Sequence, residues 1–487
     1  MNVLKIVRVV LVLSFLGLVG RSMARELDAL GRVKGAEAQQ SQVEVKARSG
    51  SVTLAKPFSD GAVLQRERPV AVWGTAQPDE EVQVGLGKIV VKTKADVVGN
   101  WKTHLPAMPA CAIPQVLRVS AKSGVAEAKD ILVGEVWLVS GQSNAVCPFW
   151  CTVATRFRGN TKAGLIVQYI NKPQIRFSDT PGTWKIMNRQ NLTKTTTIES
   201  VGNACDGSFS EMGTYFALKL HDVLGVPVGM IGEYVNGSPI EKWIPPEGQH
   251  WKSQLVRWTP YTIRGVLWNQ GDSNCKNGSE YDKLVSEMYE KWSKAFENDR
   301  LSFYFQEQHH LNSSDCFELS LAMQRFAKKN PRAAMCGACD ITTSDWHGND
   351  KETMARRMLA HALKRDYGYS DIEDESPTFK SLVKGEEGRV IVTFDHAKNL
   401  FIYNDGMTDF RVPFELCGPD GKWYDASLEF PKLKNWASHG LILSSNLTVR
   451  AGAVTDPKKI RYMYKNGKAN IFNEVCLPIL SFEADVK

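Results

Sequence analysis

Three patterns of hydrophobic and polar residues follow one another along the chain. From residue 51 to about 130, short β-branched runs alternate with turn residues, as in a small β-sandwich. Between 131 and 368, apolar runs are followed by helical patterns, which is typical of a parallel α/β sheet. Strand-like runs return from 369 to 487. We therefore predict an α/β domain over 131–368, flanked by β-rich domains over 51–130 and 369–487.

The α/β region contains five predicted strands and four predicted helices. The strands are 131–139, 226–235, 263–268, 301–305 and 333–336, and the helices are 210–224, 280–297, 318–329 and 351–365. Gly225 stands where the first helix would stop, because glycine favours the left-handed conformation of a helix end. The stretch 147–197 is interpreted as a loop that carries substrate specificity.

The first residues have the features of a signal peptide. Lys5 and Arg8 precede an apolar run over 9–19, and Ser22-Met23-Ala24 offers small residues for cleavage. We predict a signal peptide over 1–24 and a flexible lead-in over 25–50, although an uncleaved amino-terminal anchor fits the same residues. Export leads to secretion or to another extracytoplasmic compartment, such as the periplasm, the lysosome or the cell surface. No later apolar run reaches membrane-spanning length, so no membrane association beyond the signal peptide is expected.

Charge and cysteine content narrow the class of protein. The 487 residues include 60 Lys and Arg and 53 Asp and Glu, which are interspersed, so a nucleic-acid partner is not expected. Ten cysteines in an exported chain indicate disulfides, whose pairing stays open. Cys336 and Cys339 have redox or half-zinc spacing, but we interpret them as structural bridging cysteines, and no metal or cofactor is predicted. Sequons that agree with export begin at Asn191, Asn236, Asn277, Asn312 and Asn446.

Polar motifs follow the predicted strands, and the carboxyl ends of parallel strands are where such sheets bind ligands. Ser143 comes after the first strand, Gly237 after the second, Gln270 after the third and His347 after the last. A serine nucleophile needs a base within hydrogen-bond reach, so we predict Ser143 as nucleophile and His347 as general base. The backbone N–H groups of Ser143 and Gly237 and the side-chain amide of Gln270 are suitable donors for an oxyanion.

Further polar residues lie beside these groups. Asp345 precedes His347 by two residues, so in an extended segment both side chains face one side and Asp345 could orient the imidazole. A dyad in which a backbone carbonyl orients His347 is the alternative. Taken singly, each candidate would be an ordinary turn, cap or loop residue. The residues expected to bind substrate are Gln142, Asn144, Asn236, Asp272 and Asn274.

Four segments, taken together and in this order, resemble the sialate O-acetylesterase family within the SGNH hydrolases. Residues 134–144, which end in Ser140-Gly141-Gln142-Ser143-Asn144, are similar to the family's nucleophile block. Residues 209–243 resemble its helix, strand and oxyanion-glycine block, and 268–274 resemble its third block. Asp345-Trp346-His347, with Lys351, Arg356 and Arg357, resembles the histidine block that opens the last helix. The chain also resembles the family's flanking β-rich segments outside these blocks, at 58–66, 72–74, 394–397 and 420–424.

The resemblance implies a flavodoxin-like central fold, metal-free acyl transfer through an acetyl-serine and a sugar ester as substrate. The chain departs from the family pattern at Ala145 for methionine, Asp272 for glutamate, Gly348 for proline, Asn236 for glycine, and Ser344 where many relatives have the acid. We predict a carbohydrate O-acetylesterase whose partner is an O-acetylated carbohydrate. Two alternatives stay open: an acetylesterase acting on plant or algal polysaccharide such as xylan, and a catalytically inactive carbohydrate-binding protein.

Overall fold

A computed structural model describes residues 50–147, 149, 170–192, 209–308, 314, 316–341, 350–402, 413–429, 441–442, 445–464 and 469–487. These residues form two compact units. The described part of the smaller unit comprises 50–55, Val72–Thr103 and Arg118–Glu127, and the larger unit comprises Lys56–Ala71, His104–Leu117 and the described residues from Ala128 onward. The predicted signal peptide and nearly all of the lead-in lie outside the described residues.

The strands are β1 (Thr53–Leu54), β2 (Val63–Gln65), β3 (Val70–Thr75), β4 (Glu81–Leu86), β5 (Ile89–Lys94), β6 (Asn100–Leu105), β7 (Cys111–Ala121), β8 (Gly124–Gly141), β9 (Asn171–Ser178), β10 (Lys185–Asn188), β11 (Val228–Tyr234), β12 (Gly265–Asn269), β13 (Ser302–Gln306), β14 (Ala333–Cys336), β15 (Thr378–Lys384), β16 (Val390–Asp395), β17 (Phe401–Ile402), β18 (Phe414–Cys417), β19 (Trp423–Leu428), β20 (Leu441–Ile442), β21 (Asn446–Arg450), β22 (Lys459–Tyr462), β23 (Ile471–Phe472) and β24 (Phe482–Asp485). The helices are α1 (Ser143–Val146), α2 (Arg189–Leu192), α3 (Glu211–Leu224), α4 (Gln249–Ser253), α5 (Tyr281–Ala295), α6 (Phe317–Lys329) and α7 (Lys351–Tyr367). Short 3₁₀ segments cover Ile240–Trp243, Leu255–Trp258, Asp272–Glu280 and Glu386–Gly388.

The smaller unit contains an antiparallel hairpin of β4 and β5, in which Glu81 lies opposite Lys94. Gly87 in the connecting turn has φ 57°, a left-handed conformation that glycine adopts without steric cost. In β4, Val82 and Val84 are buried while their neighbours are more exposed. This alternation is the period of two that marks a half-buried strand.

Seven strands of the larger unit follow one another in the central sheet, in the order β10-β9-β11-β8-β12-β13-β14. The strands from β9 to β14 along this order run parallel, and β10 pairs antiparallel with β9. All five predicted strands are present as β8, β11, β12, β13 and β14. The prediction of an α/β class with a parallel sheet is therefore confirmed.

Alternate residues of the sheet strands contact helices on opposite faces. Trp137, Leu267 and Tyr304 belong to a core that also contains buried residues of α3 and α7. Trp268, which follows Leu267, packs on Trp292 of α5 with ring centroids 5.6 Å apart. Phe303, which precedes Tyr304, packs on Phe326 of α6 with ring centroids 5.8 Å apart. Helices therefore cover both faces of the sheet, as apolar runs without alternation predict.

The ends of α3 and α7 follow the capping rules. The Ser210 hydroxyl accepts from the Gly213 N–H at the start of α3, and the Asp350 carboxylate accepts from the N–H groups of Glu352 and Thr353 at the start of α7. Gly225 ends α3 in a left-handed conformation with φ 66°, which confirms the predicted helix stop.

The interpretation of 147–197 as a loop is wrong, because this stretch contains β9, β10 and α2. β9 pairs in parallel with β11 and extends the central sheet. The sequence pattern does not predict this strand, because the buried residue Arg176 interrupts its apolar run. Arg176 is neutralised by tertiary contacts, donating to the Gly61 carbonyl at 3.0 Å and pairing with Asp130.

The carboxyl-terminal part of the chain forms a seven-stranded antiparallel sheet in the order β15-β16-β21-β19-β18-β22-β24, and β20, β17 and β23 form a smaller sheet. Buried residues such as Val392, Leu416 and Ile460 form its core. A β-rich carboxyl-terminal region is therefore confirmed. Among the described residues, no helix combines the length and the hydrophobicity needed to cross a membrane.

A disulfide joins Cys275 in the 3₁₀ segment Asp272–Glu280 to Cys316 at the start of α6. Cys336 and Cys339, by contrast, are thiols, so their interpretation as bridging cysteines is wrong. Cys336 lies in the core shared with α3 and α7, whereas Cys339 lies in the core of the carboxyl-terminal sheet. The two side chains thus pack into different cores despite their short spacing.

Candidate active site

Ser143 lies at the carboxyl end of β8, which is an inner strand of the central sheet. Gly141, the last residue of β8, has φ 131°, and a Cβ atom at this position would stand 2.1 Å from the Asn269 carbonyl oxygen. Only glycine fits there. The next residue, Gln142, donates its N–H to the same carbonyl at 2.9 Å. The chain therefore turns sharply against β12 and presents Ser143, partly exposed, at the start of α1.

The side chain of Gln142 ties this turn to the loop that follows β12. Its Oε1 accepts from the N–H groups of Gly271 at 3.4 Å and Ser273 at 3.3 Å, and from Nε2 of Gln270 at 3.3 Å. Its Nε2 donates to Oδ2 of Asp272 at 3.0 Å. Gln142 is buried, so these hydrogen bonds are shielded from water.

Gln270 and Asn274 continue the network towards the loop after β11. Nε2 of Gln270 donates to Oδ1 of Asn274 at 2.7 Å and to the Ser238 carbonyl at 3.1 Å. Oδ1 of Asn274 also accepts from the Ile240 N–H at 3.0 Å. We call Gln142, Gln270 and Asn274 the amide network, which joins the loops after three adjacent strands, β11, β8 and β12.

Three residues that the sequence analysis did not single out support the amide network. Tyr281 donates its hydroxyl to Oε1 of Gln270 at 2.6 Å, and burial raises its phenol pKa, which keeps the donor protonated. Glu241 accepts from Nδ2 of Asn274 at 3.0 Å, and Ser238 accepts from the indole of Trp243. Ser238 and Glu241 lie inside a sequence block that resembles the family, whereas nothing in the sequence marks Tyr281.

Asn236 and Gly237 lie in the loop after β11. The Val235 N–H donates to the Gly141 carbonyl at 3.0 Å, so this loop starts beside the residue where β8 ends. Gly237 has φ 61°, and both Asn236 and Gly237 are exposed. The structure thus brings this predicted oxyanion loop to the edge of the sheet that carries Ser143.

Asn144 contacts the start of α7. Nζ of Lys351 donates to Oδ1 of Asn144 at 2.6 Å, and only 2% of Lys351 and 1% of Asn144 are exposed. The nucleophile turn and the first residue of α7 therefore lie next to each other. His347 and Asp345 fall in 342–349, outside the described residues.

One cluster among the described residues has the spacing of metal ligands, namely His361, Asp374 and Glu375. Cations of the protein already pair with these carboxylates: Lys364 with Asp374 at 2.8 Å, and Arg365 with both Asp374 and Glu375. A carboxylate pair neutralised in this way is a poor site for a divalent ion.

Comparisons with known proteins relate the chain to acetylesterases. Residues 133–367 match the family model described as carbohydrate esterase, sialic acid-specific acetylesterase. The chain is 25% identical to sialate O-acetylesterase of Homo sapiens, covering 66% of this chain and 73% of that protein, and 24% identical to that of Mus musculus, covering 68% and 77%. The crystal structure of a carbohydrate acetylesterase from Xanthomonas citri superimposes with a TM-score of 0.74 at 25% identity, covering 90% of this chain and 100% of that one.

The parallel sheet and these relatives define the chain as a carboxylic-ester hydrolase. More narrowly, residues 133–367 match the model of the sialic acid-specific acetylesterase family of carbohydrate esterases. The family resemblance predicted from the sequence is thus confirmed.

Proposed function

We propose that this protein is an exported carbohydrate O-acetylesterase that uses Ser143 as nucleophile and His347 as general base. Oγ of Ser143 attacks the acetyl carbonyl carbon while His347 takes the hydroxyl proton. Collapse of the tetrahedral intermediate breaks the ester bond, and the sugar oxygen leaves with the proton from His347. Water then attacks the acetyl-serine with His347 again as base, releasing acetate and restoring Ser143. Asp345 is the proposed orienting acid.

The position of Ser143 is the observation that carries this proposal. It follows an inner strand of a parallel sheet, at the carboxyl edge where such folds bind ligands. It also begins a helical turn, so its backbone N–H has no acceptor within the helix and can bind an oxyanion. This layout supports the SGNH-like arrangement that the family resemblance implies.

The contact between Lys351 and Asn144 supports the role of His347. His347 precedes Lys351 by four residues, and four residues of extended chain span at most about 14 Å. Nζ of Lys351 lies 2.6 Å from the side chain of the residue next to Ser143, and this short tether supports the proposal that His347 is the base for Ser143.

The oxyanion donors in this proposal are the backbone N–H groups of Ser143 and Gly237, with Gln270 as the predicted third donor. Nε2 of Gln270 already donates to Ser238, Asn274 and Gln142, so it would have to release one of these acceptors to bind an oxyanion. Gln142, Asn144, Asn236, Asp272 and Asn274 stay the proposed substrate-binding set. Of these, Asn236 and Asp272 are at least partly exposed and are best placed to contact a sugar.

The substrate class is proposed as an O-acetylated carbohydrate, because the relatives named above are a sialate O-acetylesterase and a carbohydrate acetylesterase. Acetate release from acetylated sialosides, acetylated xylans and acetylated monosaccharides distinguishes sialate from polysaccharide substrates. The disulfide between Cys275 and Cys316 supports an extracytoplasmic destination, because disulfides persist in oxidising compartments.

The decisive experiment compares Ser143→Ala with the control Ser273→Ala, which changes an exposed serine of the neighbouring loop. We expect Ser143→Ala to lower kcat for an aryl acetate by about a thousandfold or more with an unchanged melting temperature. The control should keep kcat within about twofold. A folded Ser143→Ala protein that retains a tenth of the activity would refute the proposal.

A further inference from the structure

Lys351 is a buried lysine at an unusual place. It is the first residue of α7, and its ammonium group donates to Oδ1 of Asn144 at 2.6 Å. We call these two residues the Lys351–Asn144 pair. Both side chains are almost completely removed from solvent.

A lysine is unfavourable at the first position of a helix. The amino end of a helix carries a partial positive charge, which repels a cation in the first turn. Burial adds a desolvation cost for an ammonium group, and an apolar side chain of similar length would avoid both costs. The contacts of the ammonium group, among them the charge-assisted hydrogen bond to Asn144, offset part of this cost. A residue that is unfavourable for the helix itself points to a role outside the helix.

α7 has other attachments that do not involve Lys351. Met354, Ala355 and Met358 are buried in the core shared with α3. Lys219 of α3 forms an ion pair with Glu352 at 3.1 Å, and each side chain is about one-third exposed. The helix would therefore keep its place on the sheet without the ammonium group of Lys351.

We propose that Lys351 is a positioning residue, which sets the distance between the nucleophile turn and the start of α7. Asn144 is adjacent to Ser143, and Lys351 follows the proposed base His347 by four residues. The Lys351–Asn144 pair thus links the neighbour of Ser143 to a residue four positions after the proposed base. This inference rests on the proposed function, because it assigns Lys351 a role in bringing His347 to Ser143.

The test measures kcat and KM for an aryl acetate and the rate at which a fluorophosphonate labels the protein. Lys351→Met removes the donor and fills the same space. We expect kcat to fall about a hundredfold with KM within about threefold, since a displacement of about 1 Å costs that much in rate. The labelling rate should fall in parallel, because it reports the activation of the serine. Lys351→Arg keeps a cationic donor and should recover most of the loss.

The matched control is Lys219→Met, which removes the other lysine that attaches the first turn of α7. It should leave kcat and labelling within about threefold. Equal losses in Lys219→Met and Lys351→Met, or a folded Lys351→Met protein with kcat within threefold, would overturn the inference. If Lys351→Met does not fold, Lys351→Gln, whose amide is too short to reach Asn144, must show the same loss of kcat. Full activity in Ser143→Ala would instead refute the proposed function.

Discussion

Two kinds of group hold the central strand β8. Charged groups contact it at Glu135, where its pairing with β11 begins, and amides contact it at its carboxyl end. Glu135 is fully buried and accepts from Arg264 at 2.8 Å and from Nε of Arg66 at 2.6 Å. Burial alone would raise the pKa of Glu135, but the two arginines outweigh it and lower the pKa, so the carboxylate stays ionised. At the other end, Gln142 holds the turn through the amide network.

This difference shows how one strand can be both anchored and reactive. A buried ion pair fixes the backbone but dominates the local field, whereas amides donate and accept without net charge. The three amides of the network carry no net charge themselves, and the carboxylates of Asp272 and Glu241 accept hydrogen bonds from them. The arrangement predicts that changes near Glu135 affect stability and that changes near Gln142 affect catalysis.

The largest effect should come from breaking the buried ion cluster. Glu135→Gln leaves Arg264 without its buried counter-ion, and the free energy of unfolding should fall by about 3–5 kcal/mol. Denaturant unfolding measures this loss, and kcat at 25 °C should stay within about threefold. Glu67→Gln is the control, because Glu67 contacts the same two arginines but is 55% exposed, and it should cost less than about 1 kcal/mol. Equal costs for the two variants would contradict the comparison.

The disulfide supports the carboxyl edge of the sheet with a covalent bond, whereas the ion cluster contains no covalent link. Cys275 and Cys316 are 41 residues apart in sequence, and removing both as Cys275→Ala/Cys316→Ala should lower the free energy of unfolding by about 2–4 kcal/mol. Reduction of the native protein should give the same shift in melting temperature, while the double variant should not respond to reductant. A reductant effect of equal size in the double variant would show that another bond is responsible.

An intermediate effect is expected from the amide network. Gln142→Leu removes the acceptor of the Gly271 and Ser273 N–H groups, so the two loops should move apart and kcat/KM should fall about 10- to 100-fold. Asp272→Asn, which keeps an acceptor for Nε2 of Gln142, should stay within about threefold. Steady-state kinetics with an aryl acetate decide between them. A larger loss in Asp272→Asn would mean that the charge of Asp272, rather than the neutral amides, controls the site.

The smallest effect concerns Glu233, a buried carboxyl near the carboxyl end of β11. Burial is the largest cause that raises its pKa, to about 7, although Arg257 and the indole of Trp258 oppose the shift. The folded protein therefore keeps a proton that the unfolded chain releases near pH 4.5, so stability is lost as pH rises through 7. Glu233→Gln should flatten this decline between pH 5 and 8, with little effect on stability above pH 8. Parallel stability curves for the two proteins would refute the shift.

The sequence predicts the inner part of the sheet well, because β8, β11 and β12 are continuous apolar runs that are buried on both faces. It fails at β9, where Arg176 is buried by contacts with Gly61 and Asp130 that no local pattern reveals. Tertiary packing also explains why Cys336 and Cys339 remain thiols, because their side chains enter different cores.

The candidate site was predictable in its residue types but not in its connections. The motif around Ser143 and the position of Gln270 after β12 follow from the sequence alone. The contacts of Gln270 with Tyr281 and Asn274 do not, because an amide can donate and accept in many directions and its partners depend on the fold. The approach of Lys351 to Asn144 joins residues 207 positions apart in sequence and likewise depends on the fold.

The most direct test of the account is to find where an active-site-directed fluorophosphonate attaches. Peptide mapping by mass spectrometry should place one label per chain on Ser143, with activity falling in proportion to labelling, and His347→Ala should slow the reaction strongly. A label on another residue, or full esterase activity in completely labelled protein, would contradict the claim that Ser143 is the nucleophile.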